Sequence, residues 1–294
     1  MFIDLHVHST YSDGEKEPLE ILEICHNSNV SIVSITDHNN VLGVKEAISN
    51  NPYPDLHIIP GIEIDCYTPI GQLHILGYNI DLKNKKLNDF CSLVMEDDRK
   101  RLESLLVQLK RIFNLDFSDE DLQDIFLAKG SVGRPDIAKL CLKYGYCETT
   151  KEAFKKIFKP VKEFVLKSST EIFDYECLNY INEAGGIASI AHPITLEKDL
   201  DDLKNYLIKL KDFGLTGVEV YHSNQSARFT NDLIKISNEI GLLQSAGSDY
   251  HGPILKPHIQ IGSGNNNNLN ITNLSILSKL IGEQDEKCRI VCKQ

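Results

Sequence analysis

The fold of this chain is decided by its first residues, which read Phe2-Ile3-Asp4-Leu5-His6-Val7-His8-Ser9-Thr10-Tyr11-Ser12-Asp13-Gly14. The apolar start, from Phe2 to Leu5, predicts a buried strand. The strand ends in His6 and His8, whose i, i+2 spacing places both imidazoles on one face. A polar turn follows and carries Asp13. Such a set suits Zn, Mn or Fe, although two strand-end histidines with ordinary hydrogen bonds would give the same pattern.

The pattern of an apolar run followed by His, Asp or Glu recurs along the chain. The further predicted strands and the residues near their ends are 31–36 with His38, 56–60 with Glu63, 73–78 with His74 near its start, 187–191 with His192, 217–221 with His222, and 242–246 with Asp249 and His251. Parallel α/β barrels gather their functional side chains at the carboxyl ends of their strands. The sequence therefore predicts a single cluster of these side chains.

Six segments carry a family resemblance. They are His6-Val7-His8 with Asp13, Thr36-Asp37-His38, Gly61-Ile62-Glu63, His74-Ile75-Leu76-Gly77-Tyr78, Ala191-His192-Pro193 and Ser248-Asp249-Tyr250-His251. In order and spacing they resemble the polymerase and histidinol phosphatase (PHP) superfamily, over residues 6–251. The branch they resemble is that of the stand-alone phosphoesterases. It includes nucleoside 3′,5′-bisphosphate phosphatases and 5′-to-3′ exoribonucleases that act on short RNA.

The resemblance implies an α/β fold, a distorted seven-stranded (β/α) barrel of the PHP type with an all-helical insert. Predicted strands and helices alternate up to residue 84 and again from residue 166, whereas residues 85–165 show only helical periodicity and capping signals. We therefore predict two barrel parts, 1–84 and 166–294, and a helical insert, 85–165. Such an insert suits a lid or a substrate wall. The alternative is a satellite bundle with only a packing role.

Nine residues are predicted metal ligands: His6, His8, Asp13, His38, Glu63, His74, His192, Asp249 and His251. This is too many for one ion that also binds water and substrate, so we predict three divalent ions, Mn, Fe or Zn. The resemblance implies their grouping. The first ion would be held by His6, His8, Glu63 and Asp249. Glu63 would bridge to a second ion held by His74 and His192, and the third would be held by Asp13, His38 and His251.

Three further residues are candidate catalytic residues. Asp37 is predicted to accept an N–H bond from a ligand histidine. His222 either contacts the substrate or leaving group, or has only structural bonds. Arg134 precedes a predicted helix within Gly133-Arg134-Pro135-Asp136, and the resemblance implies that it binds a substrate phosphate. A plain surface arginine is the alternative. The family pattern here is Gly-Arg-Pro-His, so Asp136 departs from it.

The predicted function is that of a metal-dependent phosphoric ester hydrolase. Its substrates would be phosphomonoesters of small nucleotides, either nucleoside 3′,5′-bisphosphates or short 5′-phosphorylated oligoribonucleotides, and a metal-activated hydroxide would attack phosphorus. Histidinol phosphate is the alternative substrate. An amidohydrolase and a non-catalytic PHP module are the rival classes. The amidohydrolase class is disfavoured because Glu63 lies at the position where amidohydrolases carry a bridging lysine. The non-catalytic class is disfavoured because the full set of ligands is present.

Charge and hydropathy restrict the partners. The net charge of −11 argues against binding of duplex nucleic acid, which needs a basic surface, but permits a small phosphorylated substrate or the end of a short RNA. No apolar run has the length of a membrane span, and the N-terminus lacks the pattern of a signal peptide. We therefore expect a cytoplasmic protein without a membrane partner. The sequence gives no oligomeric state.

Overall fold

Strands and helices alternate in the first part of the chain. In order, these elements are β1 (Phe2–Val7), α1 (Pro18–Asn27), β2 (Val30–Ile35), α2 (Leu42–Asn50) and β3 (His57–Ile58). The three strands form a parallel sheet in the order β1-β2-β3. Helix α1 covers this sheet with an apolar stripe that includes Ile21, Leu22 and Cys25. The computed structural model describes residues 1–68, 71–128, 130–196 and 198–281.

The next two strands break the predicted alternation. β4 (Gly61–Thr68) and β5 (Gly71–Tyr78) pair antiparallel. Glu63 follows the short strand β3, which lies within the predicted run 56–60, but it also lies inside a further strand, β4, that was not predicted from the sequence. Pairing of the earlier run stops at Ile58, and Pro60 has no N–H to extend it. Strand pairing begins again at Gly61, which pairs with Tyr78 of β5. A Cβ on Gly61 would lie only 2.1 Å from Ser34 Oγ, so β4 passes close to β2.

Helices follow β5 over residues 85–164. They are α3 (Lys85–Phe113), α4 (Asp119–Phe126), α5 (Arg134–Lys143), α6 (Thr150–Glu152), a π-helical stretch (Ala153–Phe158), α7 (Lys159–Val161) and a 3-10 turn (Lys162–Phe164). Their buried side chains form a separate core that includes Leu105, Ile137 and Ile157. The first turns of α3 instead pack Leu87 and Phe90 into the main core, which ties this segment to the sheets. None of the described helices is both long and apolar enough to span a membrane.

Alternation resumes in the last part of the chain. The elements are α8 (Asp174–Glu183), β6 (Ile187–Ile190), α9 (Leu200–Lys211), β7 (Leu215–His222), α10 (Ala227–Ile240), β8 (Leu243–Gly247), the short pair β9 (Ile259–Gln260) and β10 (Gly264–Asn265), and α11 (Leu277–Leu280). Strands β6, β7 and β8 are parallel, and β5 joins them antiparallel in a sheet of order β4-β5-β6-β7-β8. Residues 282–294 of the predicted second barrel part lie outside the described residues.

The two larger sheets meet at their edges without forming a closed seven-stranded barrel in the described residues. Single parallel bridges, Val7 with Tyr250 and His38 with Glu63, join them. Loop residues after β2 and β8 supply these bridges, so no continuous ladder joins the two sheets in the described residues. The predicted distorted seven-stranded barrel is therefore not confirmed. β8 lies directly against β1, because a Cβ on Gly247 would lie 2.1 Å from His6 Cβ. The α/β class itself is confirmed.

Candidate metal centre

The nine predicted ligands come together where the two sheets meet. In four overlapping groups, one ligand atom from each residue lies within 4.8 Å of the others. The groups are His6, His8 and Asp249; His6, Glu63 and His192; His8, Asp13, His38 and His251; and His38, Asp65 and His74. Elements far apart in the sequence supply them, because β1, β4, β5 and the loops after β2, β6 and β8 converge at this edge.

Glu63 lies at the centre of the cluster and is 1 % exposed. Its Oε2 atom lies 3.2 Å from His6 Nε2 and 3.1 Å from His8 Nε2. Its Oε1 atom lies 3.0 Å from both His74 Nδ1 and His192 Nε2. Each carboxylate oxygen thus faces two imidazole nitrogens. This arrangement suits a carboxylate that bridges two neighbouring cations.

Asp13 forms the centre of a second group. Its Oδ1 atom lies 3.2 Å from His251 Nε2, 3.5 Å from His8 Nδ1 and 3.9 Å from His38 Nε2. This oxygen is buried, and it has no hydrogen-bond partner among the described residues. Buried acceptors normally have a partner, so an orphaned carboxylate oxygen surrounded by imidazoles fits a divalent cation.

Asp249 and His192 occupy unusual backbone conformations. Their φ angles are 57° and 27°, in the left-handed region that residues other than glycine rarely adopt. Such conformations are concentrated at functional sites. The Asp249 N–H donates to His6 O at 2.8 Å. As a result, Asp249 Oδ1 lies 3.7 Å from His6 Nε2 and 3.4 Å from His8 Nε2.

Glu219 supports two of the predicted ligands and was missed by sequence reasoning. Its Oε1 atom accepts from His6 Nδ1 at 3.0 Å, and its Oε2 atom accepts from the His192 N–H at 2.7 Å. The first bond fixes the His6 ring so that Nε2 faces the cluster. Glu219 is fully buried in β7 between Val218 and Val220. A carboxylate inside an apolar predicted strand is the signal that could have revealed it.

Asp65 was also missed. His38 Nδ1 donates to Asp65 Oδ1 at 2.8 Å, and His74 Nε2 lies 3.5 Å from the same oxygen. The Asn39 amide donates to Oδ2 at 3.1 Å. Asp65 lies two residues after Glu63 on β4, and this spacing places both carboxylates on one face of the strand. The i, i+2 spacing was therefore present in the sequence, as it is for His6 and His8.

Asp37 supports a loop rather than a histidine ring. Ser9 donates to it from its N–H at 2.8 Å and from its hydroxyl at 2.7 Å, and the Ser12 hydroxyl donates at 2.7 Å. Among the described residues, no histidine ring donates to this carboxylate, which corrects the predicted partner. Burial raises the pKa of Asp37 despite these bonds. Asp37 thereby holds the turn after β1 that carries Asp13.

Both ring nitrogens of His222 have protein partners. The Asn224 N–H donates to Nδ1 at 3.2 Å, which leaves the proton on Nε2. Nε2 lies 3.2 Å from Asp249 Oδ2, to which it can therefore donate. The Lys256 ammonium contacts the same oxygen. His222 is 2 % exposed, so its contacts match the structural alternative, in which it orients Asp249.

Arg134 lies in a larger cleft that opens onto the cluster. Helix α5 begins at Arg134, and the preceding Gly133 N–H donates to Asp136 Oδ2 at 2.8 Å, so Asp136 caps the helix. The Arg134 guanidinium lies 5.7 Å from the centre of the Phe154 ring. The cleft has a volume of about 880 Å³, and its lining also includes Asp13, His38 and His74. Arg134 and part of the cluster therefore line the same cleft.

The carboxylates and imidazoles of the cluster strongly shift one another's pKa values. Burial opposes the charged form of His6, but Glu63 and Glu219 outweigh it and raise its pKa well above the usual value. Burial likewise opposes ionisation of Glu63, but the surrounding histidines lower its pKa well below the usual range. His38 behaves like His6, because Asp65 and Glu63 outweigh burial. For His251, burial prevails and lowers the pKa to about 4.

We predict that metal binding at pH 7 releases protons. The surrounding carboxylates raise the pKa values of His6 and His38 well above the usual 6.5, which favours the protonated imidazoles in the metal-free protein. Metals bind neutral imidazole, and each ion must displace such protons. Metal affinity should therefore rise as the pH rises from 6 to 8. Calorimetric titration with Zn²⁺ or Mn²⁺ in buffers of different ionisation enthalpy measures the released protons. Binding without proton release would contradict this prediction.

Fold and donor set together define the class: an α/β protein whose converging histidines and carboxylates are grouped at the spacing of metal ligands. The model of the PHP domain family matches residues 4–242. The chain therefore belongs to the PHP domain family, which confirms the resemblance. With the relatives described next, it falls among the metal-dependent phosphoesterases.

Two curated relatives and one solved structure are similar over most of their lengths. A 5′-3′ exoribonuclease of Haemophilus influenzae is 27 % identical over 85 % of this chain and 90 % of that protein. A 3′,5′-nucleoside bisphosphate phosphatase of Chromobacterium violaceum is 23 % identical over 85 % of this chain and 87 % of that protein. A Bifidobacterium adolescentis structure, described as a metal-dependent phosphoesterase, has a TM-score of 0.77 at 23 % identity and covers 98 % of this chain and 94 % of that one. That last likeness concerns the fold.

Proposed function

We propose that this protein hydrolyses a phosphate ester of a small nucleotide. The substrate would be a nucleoside 3′,5′-bisphosphate or the 5′-phosphorylated end of a short oligoribonucleotide. The observation that carries the proposal is the shared cleft, which joins a histidine- and carboxylate-rich cluster to Arg134, an arginine in no ion pair among the described residues. The exoribonuclease and bisphosphate phosphatase relatives support this substrate class.

Three divalent ions, Mn, Fe or Zn, would occupy the cluster in the grouping predicted from the sequence. Ions bound there would lower the pKa of a bound water and would stabilise negative charge on the phosphoryl oxygens. Glu63 would bridge the first and second positions, because each of its oxygens faces two imidazoles. The orphaned Asp13 oxygen would serve the third position.

The remaining groups would orient the ligands and hold the substrate. Glu219 fixes the ring of His6, and His222 and Lys256 hold Asp249. These contacts reduce the freedom of the donors, which a precise metal site requires. We assign His222 this positioning role. We assign Arg134 to the substrate, because a guanidinium can bind two phosphate oxygens at once.

We propose that the helical residues 85–165 form the wall of the substrate site. Pro135, Thr150, Lys151 and Phe154 line a smaller cavity of about 350 Å³ together with Glu63 and other predicted ligands. The Lys151 ammonium has no ion-pair partner among the described residues and brings positive charge to this cavity. The acidic chain as a whole disfavours long polyanions. The substrate should therefore be small or enter by one end.

The test compares kcat/KM for adenosine 3′,5′-bisphosphate, AMP and histidinol phosphate. Wild type should prefer the bisphosphate, and Arg134→Ala should reduce that preference about tenfold or more, since a charge-assisted hydrogen bond is lost. Arg228→Ala is the matched control, because Arg228 is an exposed arginine in the first turn of α10. Equal rates on all three substrates, or a preference for histidinol phosphate, would refute the proposal. The relatives described above do not support that alternative.

A further inference from the structure

We propose that Asp65 is a positioning residue shared by two metal ions. It orients both His38 and His74, which the proposed function assigns to different ions. Asp65 lies outside the segments that carry the family resemblance. The inference rests on the metal grouping in the proposed function and adds to it a physical link between the second and third ions. In this role Asp65 contacts the ligand rings and not the ions.

Each of the two rings points one nitrogen at a carboxylate assigned to the same ion. His74 Nδ1 lies 3.0 Å from Glu63 Oε1, and His38 Nε2 lies 3.9 Å from Asp13 Oδ1. A histidine ligand binds a cation through one ring nitrogen and is oriented through the other. These contacts therefore mark His74 Nδ1 and His38 Nε2 as the metal-binding atoms.

The other nitrogen of each ring faces Asp65. His38 Nδ1 donates to Asp65 Oδ1 at 2.8 Å, and His74 Nε2 lies 3.5 Å from the same oxygen. The longer contact is electrostatic, because 3.5 Å exceeds the usual length of an N–H···O bond. Glu63 Oε2 lies farther from His38 Nδ1, at 3.4 Å, than Asp65 does. A proton held on the nitrogen that faces Asp65 leaves the opposite nitrogen of each ring free for a cation.

Asp65 is itself held in place by Asn39. The Asn39 side-chain oxygen accepts from the Asp65 N–H at 3.0 Å, and the Asn39 amide donates to Asp65 Oδ2 at 3.1 Å. The Asn39 N–H donates to Glu63 O at 2.8 Å. Asn39 thus occupies Oδ2 and leaves Oδ1 for the two imidazoles. A carboxylate held at both its backbone and its side chain can fix the rings precisely.

The position of Asp65 predicts which ions depend on it. The Asp65 side chain is 37 % exposed and lines the large cleft together with His38 and His74. Glu219, which fixes His6 of the first ion, is fully buried in β7. The two orienting carboxylates therefore act on different ligands. Loss of Asp65 should weaken the second and third ions and leave the contact between Glu219 and His6 unchanged.

The experiment uses Zn²⁺-loaded protein and heteronuclear NMR of the histidine rings, which reports the protonated nitrogen of each ring. In wild type, His38 should carry its proton on Nδ1 and His74 on Nε2. Asp65→Asn keeps the shape of the side chain but removes its charge, so both protons should exchange faster or move to the opposite nitrogen. The His6 Nδ1 proton, held by Glu219, is the internal reference and should not change.

Zinc affinity is the second measurement, by competition with a chromophoric chelator. Asp65→Asn should weaken two of the three ions about 10–100-fold, since that is the usual effect of losing a group that orients a ligand. The ion held by His38 should weaken more, because its contact with Asp65 is the shorter one. Asp124→Asn makes the same change at an exposed position on α4 and should behave as wild type.

Asn39→Gly is a second variant that leaves the Asp65 carboxylate in place. Glycine accepts the φ angle of 54° at this position, so the substitution removes the side-chain contacts without backbone strain. Asp65 would then be held less firmly. The NMR signals and the zinc affinity should change in the same direction as in Asp65→Asn, but less. This variant keeps the test open if Asp65→Asn does not fold.

Three results would overturn the positioning role. The first is unchanged ring protons and unchanged zinc affinity in the folded variants. The second is a Zn²⁺-loaded wild type without a proton on His38 Nδ1, because His38, Asp65 and His74 are also close enough to hold a cation directly. The third is an equal loss of all three ions together with the His6 signal, which would indicate a general structural defect.

The proposed function can fail separately. If the NMR and zinc results are as expected but wild type hydrolyses no phosphate ester, the role of Asp65 stands and the proposed function is refuted. If wild type hydrolyses adenosine 3′,5′-bisphosphate and Asp65→Asn changes neither the ring protons nor the zinc affinity, only the role of Asp65 is refuted.

Discussion

Glu63→Gln should lower turnover of phosphate esters by about a thousandfold or more and remove at least one metal ion per chain. The substitution preserves the shape of the side chain but removes the negative charge at the centre of the cluster. Each oxygen of Glu63 faces two imidazoles at 3.0 to 3.2 Å. An additional imidazole nitrogen, His38 Nδ1, lies 3.4 Å from Oε2. An amide offers one oxygen and one NH₂ donor, so it can no longer bridge two cations.

The measurements for this variant are elemental analysis and turnover on the same preparation. Wild type purified without chelator should contain up to three divalent ions per chain. Glu23→Gln makes the same change at an exposed position on α1 and should keep both metal and activity. Circular dichroism and the melting temperature establish that each variant is folded. Full metal content and full turnover in folded Glu63→Gln would show that Glu63 is not a bridging ligand.

Removal of metal by chelator dialysis should abolish turnover and lower Tm by about 5 °C or more. An ion at a hundred times its Kd stabilises the fold by about 2.7 kcal/mol, and each kcal/mol shifts Tm by about 2 °C in a domain of this size. Readdition of Mn²⁺, Fe²⁺ or Zn²⁺ should restore both properties. A mock dialysis without chelator is the control. Undiminished turnover in protein shown to be metal-free would refute a metal-dependent reaction.

The Tm difference between metal-loaded and metal-free protein should widen as the pH rises from 6 to 9. The pKa values of His6 and His38 are raised in the metal-free fold. Their pairing with carboxylates therefore stabilises the protein fully below about pH 6.5, and this stabilisation is lost as the pH rises through the raised values. Bound ions would replace these protons, so the metal-loaded protein would not lose this stabilisation as the pH rises. A constant Tm difference across this range would show that these histidines do not exchange protons for metal.

The local chemistry of the site could be predicted from the sequence. His6 and His8 share a face because of strand geometry, and the His, Asp and Glu residues near other strand ends follow the same logic. The helical character of residues 85–164 followed from periodicity and capping signals, and in the structure the side chains of Ser118 and Thr149 cap α4 and α6. These features depend on neighbours within a few residues, so they can be read along the chain.

Contacts between distant segments could not be predicted in this way. Glu63 follows a strand as expected, but it also lies inside β4, whose antiparallel pairing with β5 depends on contacts between two separate segments. Asp37 was expected to meet a histidine, but Ser9 and Ser12 are nearer once the loop after β1 folds back. The direction of a strand and the partner of a side chain both depend on which segments meet.

The sequence by itself determined which residue types are available and on which faces of local elements they lie. Only the tertiary structure decided that Glu219, within an apolar strand, fixes His6, and that Arg134 of α5 lines the same cleft as Asp13 and His38. Local periodicity sets the face on which a side chain lies. Which side chains face one another across a cleft depends on how distant segments pack. Burial of two separate apolar cores brings helices and strands from distant parts of the chain to the same edge.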